Sequence, residues 1–410
     1  MKKVAILGST GSIGTQALEV VAQHPEKFDV VALCAGRNAA LLAEQARQFR
    51  PGIVGIHDAD SAVTLKERLI DHTPHILAGP EAAETIAAES GADVVLNAMT
   101  GSIGLKPTLA ALRAGAQLAL ANKESLVVGG ALIAGACTRP GQVVPVDSEH
   151  SALAQALISG RHRRGLCSPE AASDGETEVS KLVLTASGGP FRGWEAAQLA
   201  DVTPEMALKH PNFAMGLMVT TNSATMVNKA LEVIEAHLLF DVPLEQIETV
   251  IHPQQYIHSL VEFQDGSTVA QAGPPRMLVP IGWALSHPDR LERVDTPIDW
   301  THAMSWTFEP LDHEAFPAVQ LAKRAAASSA THMGVYNAAN EQAVEAFHRS
   351  EVPFTGILPT VAEVLTEHDG VPAARADLDA VLEAETWARA RANELLGLSA
   401  DRARAEAGAR

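Results

Sequence analysis

The chain opens on a strand, a glycine-spaced turn and a helix in immediate succession: VAILG at 4–8, Ser9 to Gly14, then TQALEVVAQ at 15–23. Glycines at positions 8, 11 and 14 let the backbone turn sharply and approach a ligand closely, and the start of the following helix offers unpaired amides with a partial positive charge. Such a turn belongs at the carboxyl edge of a parallel sheet, where a dinucleotide pyrophosphate can rest. The spacing is GxxGxxG rather than the commoner GxGxxG, and a tight strand-to-helix turn without a ligand fits the same residues.

Further apolar runs, FDVVALCA (28–35), GIVGI (52–56), DVVLNAM (93–99), QLALA (117–121) and QVVPV (142–146), alternate with Ala/Leu-rich helical stretches. That alternation predicts an α/β chain with a doubly wound Rossmann-type domain over 1–150. A central α+β domain is expected over 151–285: KLVLTASGGPF reads as a strand running into a glycine pair, 222–239 as one helix, and IHPQQYIHSLVEF with STVAQAG as an antiparallel hairpin. Within it, 160–180 loses periodicity and reads as an exposed loop or insertion. Residues 286–312 read as a linker, and 313–410 as a C-terminal α-helical bundle with helices near 315–329, 336–349, 355–368 and 376–396. With 410 residues the chain exceeds what one core usually organises.

Composition narrows the function. The apolar run after MKK is too short for a signal sequence or a membrane span. Three cysteines, Cys34, Cys137 and Cys167, form no CxxC pair, which suits a reducing cytoplasmic setting and argues against structural zinc. A net charge of −18 disfavours nucleic acid and acidic membranes as partners, so an anionic ligand must meet a local cluster of donors.

Several residues could form such clusters. Gly36-Arg37-Asn38 ends the second strand with a cation where a NAD site wants an acid, which favours NADPH; an ordinary solvated arginine fits too. Asp147 and Glu149, two apart on an extended segment and bracketed by Ser148 and His150, would point the same way and repel unless a cation lay between them. Oxygen ligands without cysteine favour Mg²⁺ or Mn²⁺, while helix capping accounts for the same residues equally well. Glu232 sits among Met226, Val227, Ala230, Leu231, Val233 and Ile234, so it is expected to be buried and therefore paired or metal-bound. Asn228 and Lys229 lie one turn before it; a surface Lys229–Glu232 pair is the alternative. Ser187-Gly188-Gly189-Pro190 offers an anion nest that Ser223, Asn228 and Lys229 could complete, or a plain Gly-Pro turn. A segment near 205–217, with His210-Pro211-Asn212, Phe213, Met215 and Gly216, reads as a closing lid or as a packed connector.

Taken together, LGSTGSIG, AGRN, NAM, GLKPTLAAL, ALANKESLVVGG, VDSEHSA, SGGPFR, HPN, NSATM, NKALE, IHPQ, FPA and NAANE resemble the 1-deoxy-D-xylulose 5-phosphate reductoisomerase family in order along nearly the whole chain. The resemblance implies an NADP-dependent oxidoreductase and isomerase of non-mevalonate isoprenoid synthesis. It would rearrange 1-deoxy-D-xylulose 5-phosphate and reduce it to 2-C-methyl-D-erythritol 4-phosphate, with NADPH and a divalent cation (Mn²⁺ or Mg²⁺, Co²⁺ as a third option). Its nucleotide contacts fall on Thr10, Gly11, Ser12, Ile13, Gly36, Arg37, Asn38, Asn122, Glu124 and Gly216. Its metal ligands fall on Asp147, Glu149 and Glu232, and its sugar-phosphate contacts on Lys123, Ser148, Glu149, Ser187, His210, Ser223, Asn228, Lys229 and Glu232. Lys123 and His150 join the metal ligands as catalytic candidates, and a homodimer is implied, with 247–271 contributing to a shared sheet. The competing readings are an NADPH dehydrogenase without skeletal rearrangement and a catalytically silent NADP sensor.

The chain departs from the family's pattern at Phe213, where the lid carries tryptophan, and at Ala230, in place of glycine. In 272–281 Arg276 and Leu278 replace an acid and a base, so any ion pair between those two is lost. The 160–180 segment is longer and more polar than the family suggests.

Overall fold

A computed structural model describes residues 1–69, 73–172, 174–209 and 216–397. The first layer is a parallel sheet of β1 (Lys2–Leu7), β2 (Phe28–Ala35), β3 (Ile53–Ile56), β4 (His75–Ala78), β5 (Val94–Asn97), β6 (Gln117–Leu120) and β7 (Val143–Pro145), in the order β4-β3-β2-β1-β5-β6-β7. The strand order reverses between β1 and β5, the switch point where ligands of doubly wound sheets bind. The near-continuous apolar runs read from sequence are buried on both faces, as in Val4 to Leu7 and Val94 to Leu96, because helices cover each side of a parallel sheet. β4 is the strand that sequence reading missed. It is short and half-exposed, so it lacks the apolar run that marked the others.

The second sheet, β11-β10-β8-β9-β12, is mixed. β8 (Val179–Ala186) lies antiparallel to β10 (Ile257–Phe263) and parallel to β9 (Ile247–Ile251). β10 pairs with β11 (Thr268–Ala272) in the expected hairpin, and β12 (Glu309–Pro310) adds to β9. One expectation needs correction. The helix over 222–239 is two helices, Leu217–Ala224 and Val227–Phe240, broken at Met226, whose φ of 63° is left-handed. The linker over 286–312, read as laid across the other domains, is a strap that donates β12 to the second sheet and stacks Phe308 on His252, ring centroids 4.6 Å apart. Within the 160–180 segment His162 bridges Thr177, and Leu166 donates to the Leu239 carbonyl at 2.8 Å.

Four helices, Ala318–Ser328, His332–His348, Ile357–Glu367 and Leu378–Leu395, form the C-terminal bundle around the fully buried Tyr336 and Phe347. The bundle braces the site from behind, with Asn340 donating to Asn222 at 2.9 Å and Thr221 bonded to His348 at 2.7 Å. No helix among the described residues is long and apolar enough to cross a membrane.

Candidate active site

The carboxyl ends of β1, β6 and β7 come together at one edge. At β1, Gly8 takes a φ of +83°, and its amide and that of Ser9 both donate to the Cys34 carbonyl at 2.8 Å. A Cβ at Gly14 would lie 2.3 Å from the Gly8 oxygen, so glycine there is a steric requirement of the turn. Ser9 and Gln45 exchange two hydrogen bonds of 2.8 Å, buried beneath the turn; Gln45 escaped sequence reading because its partner lies 36 positions away. Gly11, Ser12 and Ile13 then line a cavity of about 740 Å³. Gly36, Arg37 and Asn38 sit exposed at the end of the neighbouring β2. Asn38 caps the next helix by accepting from Leu41 at 3.1 Å, and Arg37 helps hold the Asp58 carboxyl below its usual range, after two hydrogen bonds from Ser61.

At β6, Asn122 caps the helix Lys123–Gly129 by accepting from the Ser125 amide, and it donates to the carbonyls of Met99 and Gly101 at 2.8 and 2.9 Å. This buried anchor points Lys123 and Glu124 into the cavity. At β7, Asp147 and Glu149 do not lie on an extended segment as expected: Asp147 is the N-cap residue, and Glu149 belongs to the first turn of the helix Ser148–Leu157. Position does not make them caps, however. The Asp147 side chain makes no capping bond and pairs instead with Lys123.

From the second domain, the helix Val227–Phe240 brings Asn228, Lys229 and Glu232 to the same place. Lys229 and Glu232 are buried, so this is not a surface pair. Lys229 reaches Glu149 at 2.7 Å and also pairs with Glu232; Lys123 reaches Glu232 at 2.8 Å and Asn228 at 3.1 Å. Three carboxylates thus share two ammonium groups. Burial opposes charge on Lys123, but Asp147 and Glu232 outweigh it and hold its ammonium well above the ordinary range. Burial and the nearby Glu232 push Glu149 up to about 7. Burial works against the Asp147 charge too, but Lys123 and His150 override it and keep that carboxyl well below the ordinary range. Carboxylate oxygens of Asp147, Glu149 and Glu232 lie within 4.8 Å of one another, a set of hard donors that fits a divalent cation of the Mg²⁺ type.

Ser187, Gly216, Ser148 and Ser223 also line the cavity. Gly189 has a φ of +65° and donates to the Ser187 hydroxyl at 3.1 Å, so SGGP turns tightly, and a Cβ at Gly189 would lie only 2.8 Å from the Ser223 carbonyl oxygen. Thr10, Gly36, Arg37, Asn38, Asn122 and His150 do not line this cavity. His210 and Phe213 lie outside the described residues, as do residues 210–215 of the 205–217 lid and the chain's last residues. Met277 and Leu278, which do line the cavity, were not singled out as site residues from sequence. Arg276, one residue earlier, pairs with Asp295 of the strap at 2.8 Å, so an ion pair to a new partner stands where the family's acid and base would be. Ala230 is fully buried in its helix, where alanine suits the backbone better than glycine.

A doubly wound parallel sheet with a glycine turn at its switch point, and a carboxylate and lysine lattice that its strand ends share with the helix Val227–Phe240, defines a dinucleotide-dependent α/β enzyme. Sequence profiles of the family described as 1-deoxy-D-xylulose 5-phosphate reductoisomerase match residues 4–130, those of its C-terminal domain match 143–240, and those of the DXP reductoisomerase C-terminal domain match 272–391. The chain belongs to the 1-deoxy-D-xylulose 5-phosphate reductoisomerase family. Relatives of that name include one from Paenarthrobacter aurescens, 56% identical over 97% of this chain and 99% of its own, and one from Streptomyces avermitilis, 53% identical over 95% and 97%. Among solved structures, the Zymomonas mobilis reductoisomerase in complex with NADPH superimposes with a TM-score of 0.86 at 39% identity, covering 96% of this chain and 99% of that one. A DOX-P reductoisomerase in complex with NADPH, fosmidomycin and magnesium gives 0.86 at 34% identity, covering 97% and 98%.

Proposed function

We propose that this enzyme rearranges 1-deoxy-D-xylulose 5-phosphate and reduces it with NADPH to 2-C-methyl-D-erythritol 4-phosphate. One observation carries the reading: Lys123, Asp147, Glu149, Asn228, Lys229 and Glu232 converge in a single cavity that the glycine turn also lines. Relatives solved with NADPH and with magnesium support the two cofactors.

Thr10, Gly11, Ser12 and Ile13 would receive the pyrophosphate on their amides, with Arg37 and Asn38 beside the 2′-phosphate and Gly36, Asn122, Glu124 and Gly216 completing the nucleotide site. Bound there, NADPH supplies the hydride. Asp147, Glu149 and Glu232 would hold a divalent cation, Mn²⁺, Mg²⁺ or Co²⁺, which polarises the ketone and a neighbouring hydroxyl oxygen. Ser187, Ser223, Asn228 and Lys229, with His210, would hold the phosphate, and Ser148 a substrate hydroxyl. Lys123 keeps its proton and lies within reach of Glu232 and Asn228, so it can donate to a developing alkoxide while orienting the substrate. His150 steadies the ligand carboxylates from behind the cavity.

The domain scheme that goes with this reading is a nucleotide domain over 1–150, a catalytic domain over 151–285, a strap over 286–312 and a helical domain over 313–410. The enzyme would act as a cytoplasmic homodimer, with the edge strand β11 open to a second copy. The test is NADPH consumption on adding 1-deoxy-D-xylulose 5-phosphate, with and without Mg²⁺ or Mn²⁺. Metal-dependent consumption giving a branched polyol phosphate is expected; consumption that ignores the metal would sink the rearrangement.

A further inference from the structure

Glu235 lies one turn beyond Glu232 on the helix Val227–Phe240 and is 0% exposed. Neither of its carboxylate oxygens has a hydrogen-bond partner. Burying a carboxyl group in that state is costly unless a polar partner faces it. The group that faces it is His150, whose Nδ1 stands 3.3 Å from Glu235 Oε2. On its far side the imidazole Nε2 sits 2.8 Å from the Glu232 main-chain oxygen. A carbonyl can only accept, so Nε2 carries a hydrogen and donates. Nδ1 also faces Asp147 Oδ1 at 3.6 Å. The ring is therefore wedged between the backbone of Glu232 and the side chain of Asp147, with Glu235 closing the third side. Asp147, Glu149 and Glu232 line the cavity, whereas His150 and Glu235 do not; a cation arriving from the cavity meets the first three.

We propose that Glu235 is a positioning residue: by pairing with His150 it holds the imidazole against Asp147 and the Glu232 main chain, and so fixes the spacing of two carboxylates in the cation site. The proposal rests on the reading of Asp147, Glu149 and Glu232 as cation ligands. Outer partners of this kind usually change metal affinity about 10- to 100-fold when removed.

The experiment is titration of the purified full-length enzyme with Mn²⁺, free ion followed by electron paramagnetic resonance, without substrate or turnover. Wild type should bind one equivalent per chain. Glu235→Gln should bind it at least about tenfold more weakly, with NADPH affinity within about twofold of wild type and a cooperative thermal transition retained. Glu235→Asp, which keeps the charge on a shorter reach, should recover part of the loss and carries the test alone if Glu235→Gln does not fold. Mn²⁺ affinity in these variants equal to wild type overturns the proposal. Two equivalents in wild type falling to one in Glu235→Gln also overturns it, since Asp147, His150 and Glu235 would then hold a second cation themselves. Wild type that binds no Mn²⁺ sinks the ligand reading and the proposal with it, whereas normal wild-type binding with an indifferent Glu235→Gln sinks the proposal alone.

Discussion

The glycine turn at 8–14 and the carboxylate lattice face the same cavity but are made by opposite means. The turn is built from main chain: adjacent residues, amides pinned to the Cys34 carbonyl, and positions where even a Cβ is too large. The lattice is built from side chains that leave the backbone at 123, 147, 149, 229 and 232, on three separate elements. A main-chain site fails when space is taken up, a side-chain site when charge is removed. Each should therefore be breakable without disturbing the other.

The largest effect is expected from Glu232→Gln, which removes one charge from the cation site: kcat/KM should fall about a thousandfold or more, while the Kd for NADPH measured by fluorescence stays within about twofold. Loss of nucleotide binding in this variant would show that the two regions are one. Gly14→Ala should do the reverse. Its new Cβ would lie 2.3 Å from the Gly8 oxygen and 2.5 Å from Ser9 Cα, and a backbone shift worth about 1–3 kcal/mol should weaken NADPH roughly tenfold to a hundredfold with Mn²⁺ binding unchanged. Arg37→Ala should raise the KM for NADPH about tenfold or more, since a charge-assisted bond contributes about 1.5–3 kcal/mol. The KM for NADH should not move, and equal loss for both nucleotides would remove Arg37 from the 2′-phosphate.

The smallest effect tests whether a buried carboxylate is enough to make a site. Glu385 is 4% exposed, close to the 2% of Glu232, but it lies off the cavity, against Ser102 and Arg389. Burial pushes it up to about 7. Because that lies above the unfolded carboxyl value, the folded protein holds the extra proton, and the associated stability is present at low pH and lost as pH rises through about 7. Glu385→Gln should melt about 2 °C above wild type at pH 8, match it near pH 5, and leave turnover unchanged. A drop in turnover would give the C-terminal bundle a part in the chemistry.

The same contrast explains what could be read without coordinates. The parallel sheet and the turn were legible because each rests on neighbours in sequence: apolar runs bounded by glycines, and one strand-turn-helix unit. Four C-terminal helices followed their periodicity to within a few residues. Asp147, Glu149 and Glu232 could be singled out and Lys229 set beside Glu232 on one helix, but the contacts of Lys229 with Glu149 and of Lys123 with Glu232, spanning 80 and 109 positions, leave no local pattern. Glu235 was missed although it obeys the argument that found Glu232, a carboxylate ringed by apolar residues three positions further along the helix. The break at Met226 was invisible because methionine is a good helix former, although its backbone is left-handed here.

Arg276 and Asp295 bear on how this enzyme can be cut and recombined with its relatives. Residues 272–281 look like a self-contained patch of cavity wall, yet the ion pair of Arg276 ends on a strap 19 positions downstream, on a carboxylate whose side chain is 4% exposed. A chimera that imports a relative's 272–281 alone would strand Asp295 in a poorly hydrated pocket, and one that imports the strap alone would leave Arg276 loose beside Met277. The practical unit of exchange runs from the hairpin through residue 295, and a graft drawn on sequence similarity alone would divide it.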